Sequence, residues 1–366
     1  MPGYRKELSS HIEELLDQAE RSGSCLAARD ERLYRALGRR KRAGALVSPY
    51  PRLFCRKDTW LGLDRAGRAL LVLRGVHDLH PGWVFADTSA ALLLGLQVPF
   101  AELDGHVHVM SDVWRRDTSV PPVTWHRVRG DGPVEAATVP GMSQPVMTST
   151  PLRTTFDCIR HMGLRHGTAI ADSALRCGRF SKDELVDYVE RRGRGAHGAK
   201  QARTTTRFSD GRSANGGESA ARAAMHELGF AAPDLQVEFR DPIDPGRSYF
   251  ADYVWGAGGA SEAGGGGLVI GELDGIEKYF SPVMNRGEGA AGALLRERIR
   301  ESRITITRAA IVRFSYQDVL DDAYFSHLLE TFGVPRDHAP LVKVPARGAV
   351  TPDAEWERVP LEAYGV

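Results

Sequence analysis

The sequence has few cysteines and no long apolar run. Its four cysteines, spread through 366 residues, form no C-x-x-C pair, so neither a zinc knuckle nor a disulfide framework is expected. The longest apolar stretch, residues 90–98, is too short to cross a bilayer, and residues 1–10 lack the apolar core of a signal peptide. These absences favour a soluble cytoplasmic protein with reduced thiols.

Net charge is also nearly absent, because 48 Lys and Arg residues balance 47 Asp and Glu residues to +1. That balance hides an uneven distribution along the chain. Residues 32–57 contain nine basic and no acidic residues, whereas residues 216–280 contain four basic and eleven acidic ones. A basic N-terminal region suits a phosphate-rich partner, and an acidic C-terminal region suits a cation.

Apolar spacing near the N-terminus predicts two helices, over residues 8–20 and 31–43, with Gly44 ending the second. An alternating segment, residues 45–60, predicts a short two-stranded wing. This order is the layout of a winged helix-turn-helix, in which the second helix enters the major groove of DNA. The alternative is a solvated basic face on an interaction domain. The predicted DNA contacts are Arg35, Arg39, Arg40, Lys41, Arg42 and Arg56.

The middle of the chain has weaker signals. His106 and His108 alternate on one predicted strand, a spacing that can bind a metal ion. No third ligand lies nearby, so a plain surface strand is the favoured interpretation. Residues 191–206 are basic and rich in small side chains, which predicts a flexible connection to the last domain.

Acidic residues mark the C-terminal region. Glu218 heads a predicted helix, Asp252 lies within a strand, and Glu272 and Asp274 alternate on the next strand. Carboxylates on buried strands are costly unless something neutralises them, and three converging acids suit Mg²⁺ or Mn²⁺. Such an ion can promote phosphodiester hydrolysis. The alternative is a buried ion-pair network. The basic candidates are Arg300 and Arg313, as phosphate contacts or ion-pair partners.

Residues 213–330 resemble the restriction-endonuclease-like superfamily, PD-(D/E)XK, and within it the very-short-patch-repair-like branch. The resemblance implies that Glu218, Asp252 and Glu272 hold Mg²⁺. The usual motif has Lys where this chain has Asp274, and Lys278 is the candidate replacement. The matching pieces are Gly217-Glu218-Ser219, the strand around Asp252, Glu272-x-Asp274-Gly275, Lys278-Tyr279, Glu297-x-x-Arg300-Glu301 and Val312-Arg313-Phe314.

The first 200 or so residues resemble the AbiEi-type antitoxins of type IV toxin–antitoxin systems. The resemblance implies a winged-helix transcriptional regulator that binds repeats in its own promoter and has a nucleotidyltransferase-like toxin as partner. A homodimer is a further expectation. The matching pieces are the basic helix and wing, Ser89-Ala90-Ala91 leading to Gly95-Leu96, and Thr148 to Arg153 followed by Asp157.

Together these observations predict an α+β multidomain protein. The expected domains are a winged helix-turn-helix (residues 1–62), an α/β middle region (63–205), a restriction-endonuclease-like mixed α/β core (213–330) and an irregular tail (331–366). Two functions follow as hypotheses. One is a DNA-binding protein with a Mg²⁺-dependent endonuclease domain, and the other is an AbiEi-like antitoxin or repressor whose nuclease-like domain is inactive.

Overall fold

The computed structural model describes residues 2–128, 134–140, 142, 144–241, 243–244, 246–256, 267–274 and 309–344. Within these ranges the chain forms both helices and sheets, so it belongs to the predicted α+β class. The chain divides into two compact units, Met1–Ala220 and Ala221–Val366. None of the described helices combines the length and the apolar character needed to cross a bilayer.

The first 62 residues contain three helices and a small antiparallel sheet. The elements are α1 (Pro2–Arg21), β1 (Leu26–Ala27), α2 (Glu31–Arg42), β2 (Leu46–Val47), β3 (Leu53–Arg56) and α3 (Lys57–Gly62). The strand order is β1-β3-β2, and both pairs are antiparallel. Asp30 caps α2 by accepting a hydrogen bond from the backbone N–H of Leu33. Buried Leu16, Leu37 and Phe54 join α1, α2 and the sheet in one core.

The segment predicted as two strands over residues 45–60 forms two short strands that end at Arg56. Residues 57–62 form α3 instead of continuing the strand. Apolar alternation stops at Lys57, and Asp58 lies in the first turn of the helix, where a carboxylate interacts favourably with the helix dipole. The helix therefore begins directly after the last paired residue of β3.

The rest of the first unit is a helical core with two small sheets. The strand orders are β4-β6-β5 and β7-β8. Its elements are α4 (Arg65–Leu79), α5 (Asp87–Leu93), a 3₁₀ helix (Phe100–Glu102), β4 (Val107–Ser111), β5 (Thr118–Ser119), β6 (Pro122–Arg127), β7 (Val134–Ala137), β8 (Val146–Ser149), α6 (Pro151–Ile159), α7 (Leu164–Arg176), α8 (Lys182–Arg192) and α9 (Ala199–Phe208).

The flexible connection predicted for residues 191–206 is wrong, because most of its second half belongs to α9. Ala202 and Thr205 on α9 are fully buried, and α9 packs against α7 and α8. Gly167 of α7 lies directly beneath Thr205, where an added Cβ would come within 3.1 Å of the Thr205 methyl group. Close packing of small residues therefore stabilises a helix whose own composition resembles a linker.

The second unit is a four-stranded mixed sheet with helices. Its elements are α10 (Gly216–Glu227), which begins before the division, β9 (Asp234–Arg240), β10 (Ser248–Trp255), β11 (Val269–Asp274), β12 (Ala310–Ser315), α11 (Tyr316–Leu320) and α12 (Asp322–Thr331). The strand order is β12-β11-β10-β9. β10 is antiparallel to β9 and β11, whereas β11 and β12 are parallel. Leu228, Tyr253, Phe314 and Phe325 form its core. The predicted helix over residues 294–304 lies outside the described residues.

Candidate nucleic-acid interface and acidic centre

A shallow groove of about 320 Å³ lies beside α2 and the β2–β3 hairpin. Four cationic side chains of α2 line it on one side, and Ser48 and Phe54 of the hairpin line it on the other. Gly38, in the middle of α2, leaves space because nothing lies within 4 Å of the position of a Cβ. The cations that line the groove are Arg35, Arg39, Lys41 and Arg42.

Among the described residues, three of these four cations have no charged partner. Arg39, Lys41 and Arg42 are exposed, and within the described part of the chain their side chains make no ion pair. Arg35 pairs with Glu31 one turn earlier at 2.9 Å, but both side chains are well exposed and such pairs are weak. The groove therefore concentrates uncompensated positive charge.

Two of the predicted DNA contacts already form ion pairs with acids of α1. Arg40 donates hydrogen bonds to Glu13 at 2.6 Å and to the hydroxyl of Ser9 at 2.8 Å, both on α1. Arg56 donates to Glu13 at 2.8 Å and to Asp17 at 2.7 Å, and it also pairs with Glu20. The hydrogen bond to Glu13 raises the pKa of Arg56, and those to Asp17 and Glu20 add to the effect. These two arginines hold α1 against α2 and β3.

The hairpin keeps an aromatic ring at the edge of the groove. Arg52, in the loop between β2 and β3, has φ of +64°, which is unusual for a residue other than glycine. Its guanidinium donates to the carbonyl of Ala28 at 2.9 Å and lies 5.1 Å from the centre of the Tyr34 ring. Tyr34 lines the groove, so Arg52 positions the groove's aromatic edge.

In the second unit, Asp252 lies where the β9–β10 ladder is interrupted. The strands pair on both sides of this point, but no pair joins Asp252 to Gln236, and Gln236 has φ of +50°. The Gln236 amide donates to Asp252 Oδ1 at 3.2 Å, and the backbone N–H of Leu273 donates to Oδ2 at 3.0 Å. Backbone strain of this kind is concentrated at functional sites. Asp252 is thus joined to the residue that follows Glu272.

Glu272 and Asp274 share one arginine. The parallel register places Glu272 opposite Arg313 on β12. Arg313 Nη2 lies 3.3 Å from Glu272 Oε2, and Nη1 lies 3.1 Å from Asp274 Oδ1. Glu272 is only 4% exposed, so a positive charge beside it is needed to offset the cost of burying it. This pairing of Arg313 with two acids matches the buried ion-pair network that the sequence offered as the alternative to a metal site.

Glu218 closes the N-terminal end of α10. Its carboxylate accepts hydrogen bonds from the backbone N–H of Ala214 at 2.7 Å and from the Asn215 amide at 2.6 Å. In return, the backbone N–H of Glu218 donates to Asn215 Oδ1 at 2.9 Å. Glu218 belongs to the first unit, whereas Asp252 and Glu272 belong to the second.

The acids of the second unit supply the oxygen ligands that Mg²⁺ prefers, but Arg313 provides the positive charge beside two of them. Among the described residues, no three His, Cys, Asp or Glu side chains are arranged to hold a metal ion. In this structure Glu272, Asp274 and Arg313 therefore form an ion-pair network. Lys278 and Arg300 lie outside the described residues, and the Mg²⁺ or Mn²⁺ site stays a prediction.

A buried polar cluster in the first unit is absent from the sequence-based predictions. Asp87 is 2% exposed, has φ of +48°, and its Oδ2 lies 3.0 Å from His161 Nε2. His108 Nδ1 lies 2.9 Å from His126 Nε2 on β6. His106, the other member of the predicted histidine pair, contacts Thr124 instead. Of this cluster, the sequence singled out only His108, because Asp87, His126 and His161 are remote from it in the chain.

Charges within this cluster oppose the effect of burial. Burial is the largest influence on Asp87 and raises its pKa, but the His161 hydrogen bond and the nearby histidine charges outweigh it, so the pKa of Asp87 lies below its usual value. The hydrogen bond that His161 donates to Asp87 raises the pKa of His161. Burial lowers the pKa of His126. Asp87 and His161 thus form a charged pair.

No family model and no curated protein matches the chain.

Proposed function

We propose that this protein binds DNA through α2 and the β2–β3 hairpin. The observation that carries the proposal is the groove lined by Arg35, Arg39, Lys41 and Arg42, three of which have no ion pair among the described residues. Cations without internal partners can neutralise phosphates without first breaking a salt bridge. The major groove of DNA, about 12 Å wide, admits one α-helix.

Within this proposal the cations of the basic run have two different roles. Arg39, Lys41 and Arg42 contact phosphates or bases, and the hairpin lies along the backbone as a wing does. Arg40 and Arg56 hold α1 against α2 and β3, so they support DNA binding by stabilising the fold and not by contacting DNA. A protein of this kind acts as a regulator, as the resemblance to AbiEi-type antitoxins implies, with a toxin as its expected partner.

The test is the salt dependence of DNA binding. We would measure the affinity of the full chain for a fluorescently labelled duplex over a range of KCl concentrations. Each lost phosphate contact lowers the slope of log K against log salt by about 0.9, so Arg39→Gln with Lys41→Gln should lower it by about 2.

The matched control is Arg179→Gln with Lys200→Gln. Both residues are exposed, lie outside the groove and make no ion pair in the described part of the chain. The control should keep the wild-type slope. Equal slopes for all three proteins would contradict the proposal.

A second candidate function is Mg²⁺-dependent DNA cleavage by the second unit. It is favoured by the position of Asp252, which bonds to the backbone beside Glu272 at an interruption of the ladder where Gln236 is strained. When bound, a divalent cation would supply positive charge for phosphodiester hydrolysis. Asp252 and Glu272 are the residues that would hold it, in place of Arg313.

Incubation with supercoiled plasmid and Mg²⁺ or Mn²⁺ distinguishes a nuclease from a repressor. A nuclease nicks the plasmid, and Glu272→Gln abolishes nicking. Arg240→Gln, an exposed charge on β9 of the same sheet, should not affect it. DNA binding with no cleavage by any of these proteins leaves the regulator as the function and removes the nuclease.

A further inference from the structure

The first unit contains another cavity, of about 330 Å³, which lies within the size range of small-molecule sites. One face of α4 forms a wall, with Arg65, Arg68, Ala69 and Val72 spaced three, one and three residues apart. The other walls are α5, Trp60 of α3, residues 49–50 of the loop after β2, and residues 103–107, which lead into β4.

The cavity is cationic at one end and apolar at the other. Arg65 and Val72 are separated by about 10 Å along α4, at about 1.5 Å per residue. Arg65 is exposed and makes no ion pair among the described residues. Val72 lies at the apolar end with Leu73 and Leu92, and Trp60 adds an aromatic face that Arg68 covers at 5.3 Å.

The one carboxylate among the described residues that line the cavity is already engaged. Asp104 accepts a hydrogen bond from the backbone N–H of His106 at 2.8 Å and lies 3.3 Å from His108 Nε2. The hydrogen bond with His108 contributes to a lowered pKa for Asp104, although burial, the largest influence, raises it. An anionic ligand is therefore drawn to Arg65 and away from Asp104.

We propose that this cavity binds a small aromatic carboxylate, with the carboxylate at Arg65 and the ring against Trp60, Val72 and Leu92. We further infer that an occupied cavity changes DNA binding, a step that rests on the function proposed above. The link is the loop after β2: Ser48 lines the cationic groove, whereas the next two residues, Pro49 and Tyr50, line this cavity.

Tyr50 is the member of that link that a ligand would displace. It is 3% exposed, and its hydroxyl makes no hydrogen bond within the described residues, so no hydrogen bond has to break when its ring moves. Its carbonyl accepts a hydrogen bond from the Ser48 hydroxyl at 3.2 Å. A ligand that displaces the Tyr50 ring thus shifts Ser48 at the edge of the groove.

Calorimetric titration of the full chain with 2-naphthoate tests the cavity. Wild-type protein should bind 2-naphthoate and should bind the neutral analogue 2-naphthylmethanol about tenfold more weakly, because the charge-assisted contact to Arg65 is lost. Arg65→Gln should weaken the binding of 2-naphthoate by the same factor. Ala69→Phe should abolish binding, because the larger side chain fills the cavity. Arg179→Gln should bind as wild type.

Two results would overturn the site. One is no binding of 2-naphthoate to the wild-type protein, and the other is equal binding by wild type, Arg65→Gln and Ala69→Phe. Thermal unfolding without ligand shows which variants are folded. Arg65→Gln keeps the test valid if Ala69→Phe does not fold, since Arg65 is an exposed residue near the start of α4.

Duplex binding at saturating 2-naphthoate tests the link. An affinity for DNA that changes in wild type but not in Arg65→Gln supports it. Unchanged DNA affinity in wild type overturns the link and leaves the cavity assigned. If 2-naphthoate binds but no duplex binds under any condition, the proposed function fails while the cavity stands.

Discussion

Adjacent arginines of α2 have different surroundings. Arg39 faces the groove with no ion pair in the described part of the chain, whereas Arg40, one residue later, is held by Glu13 and Ser9. A helix turns about 100° per residue, so consecutive side chains leave it in different directions. The side that faces α1 meets carboxylates, and the other side meets solvent. Each arginine's role follows from its direction.

Asp87 and His161 make a prediction about pH. The pKa of His161 is raised in the folded protein, so its contribution to stability is complete below about pH 6.5 and is lost as the pH rises through the raised value. The lowered pKa of Asp87 gives a contribution that is present above about pH 4 and is lost in stronger acid. Urea unfolding should therefore show His161→Gln most destabilised, relative to wild type, near pH 5, and less so near pH 9.

The control for this prediction is His197→Gln, an exposed histidine of the same unit. It should track the wild type at both pH values. A difference between wild type and His161→Gln that grows from pH 5 to pH 9 would show that the pair is not charged in the folded protein.

At the scale of elements, α1 presents a row of acids to β3. Glu13, Asp17 and Glu20 are spaced four and three residues apart, so they lie on one face of the helix and meet Arg56 together. This contact joins α1 to the end of β3. It also removes Arg56 from the set of cations available to DNA.

Arg56 and Arg39 should therefore affect different measurements. Arg56→Gln leaves three acids without their shared partner and should lower the free energy of unfolding by about 1–2 kcal/mol, a value discounted for its partial exposure. Its slope of DNA affinity against salt should stay at the wild-type value. Arg39→Gln should lower the slope of DNA affinity against salt and should leave the free energy of unfolding at the wild-type value. A lower salt slope for Arg56→Gln would place Arg56 in contact with DNA.

Elements with clear periodicity were predictable from the sequence. The second helix lies within one residue of its predicted bounds, and β10 and β11 are the strands predicted around Asp252 and Glu272, because their apolar spacing matches one secondary structure. Helix α9 was not predictable from the sequence, because its stability comes from packing onto α7 and α8 and not from its composition. The same limit applies to the site. Composition predicts the basic run, but the acids that occupy Arg40 and Arg56 lie 27 and 43 residues away.

For the whole molecule, the net charge of +1 is an average over regions that differ. In the first unit, internal acids compensate some of the basic run and leave Arg39, Lys41 and Arg42 of the groove without an ion pair among the described residues. In the second unit, Arg313 compensates two of the acids. The proposed DNA contact therefore lies in the first unit, at α2 and the β2–β3 hairpin.

Hydrogen exchange of the full chain, with and without a saturating duplex, tests that assignment most directly. Bound DNA should slow amide exchange in α2 and the β2–β3 hairpin, residues 31–56, because it covers these elements. The Arg39→Gln, Lys41→Gln protein should lose this protection at the same duplex concentration. Protection confined to residues 234–315, with residues 31–56 unchanged, would contradict the account.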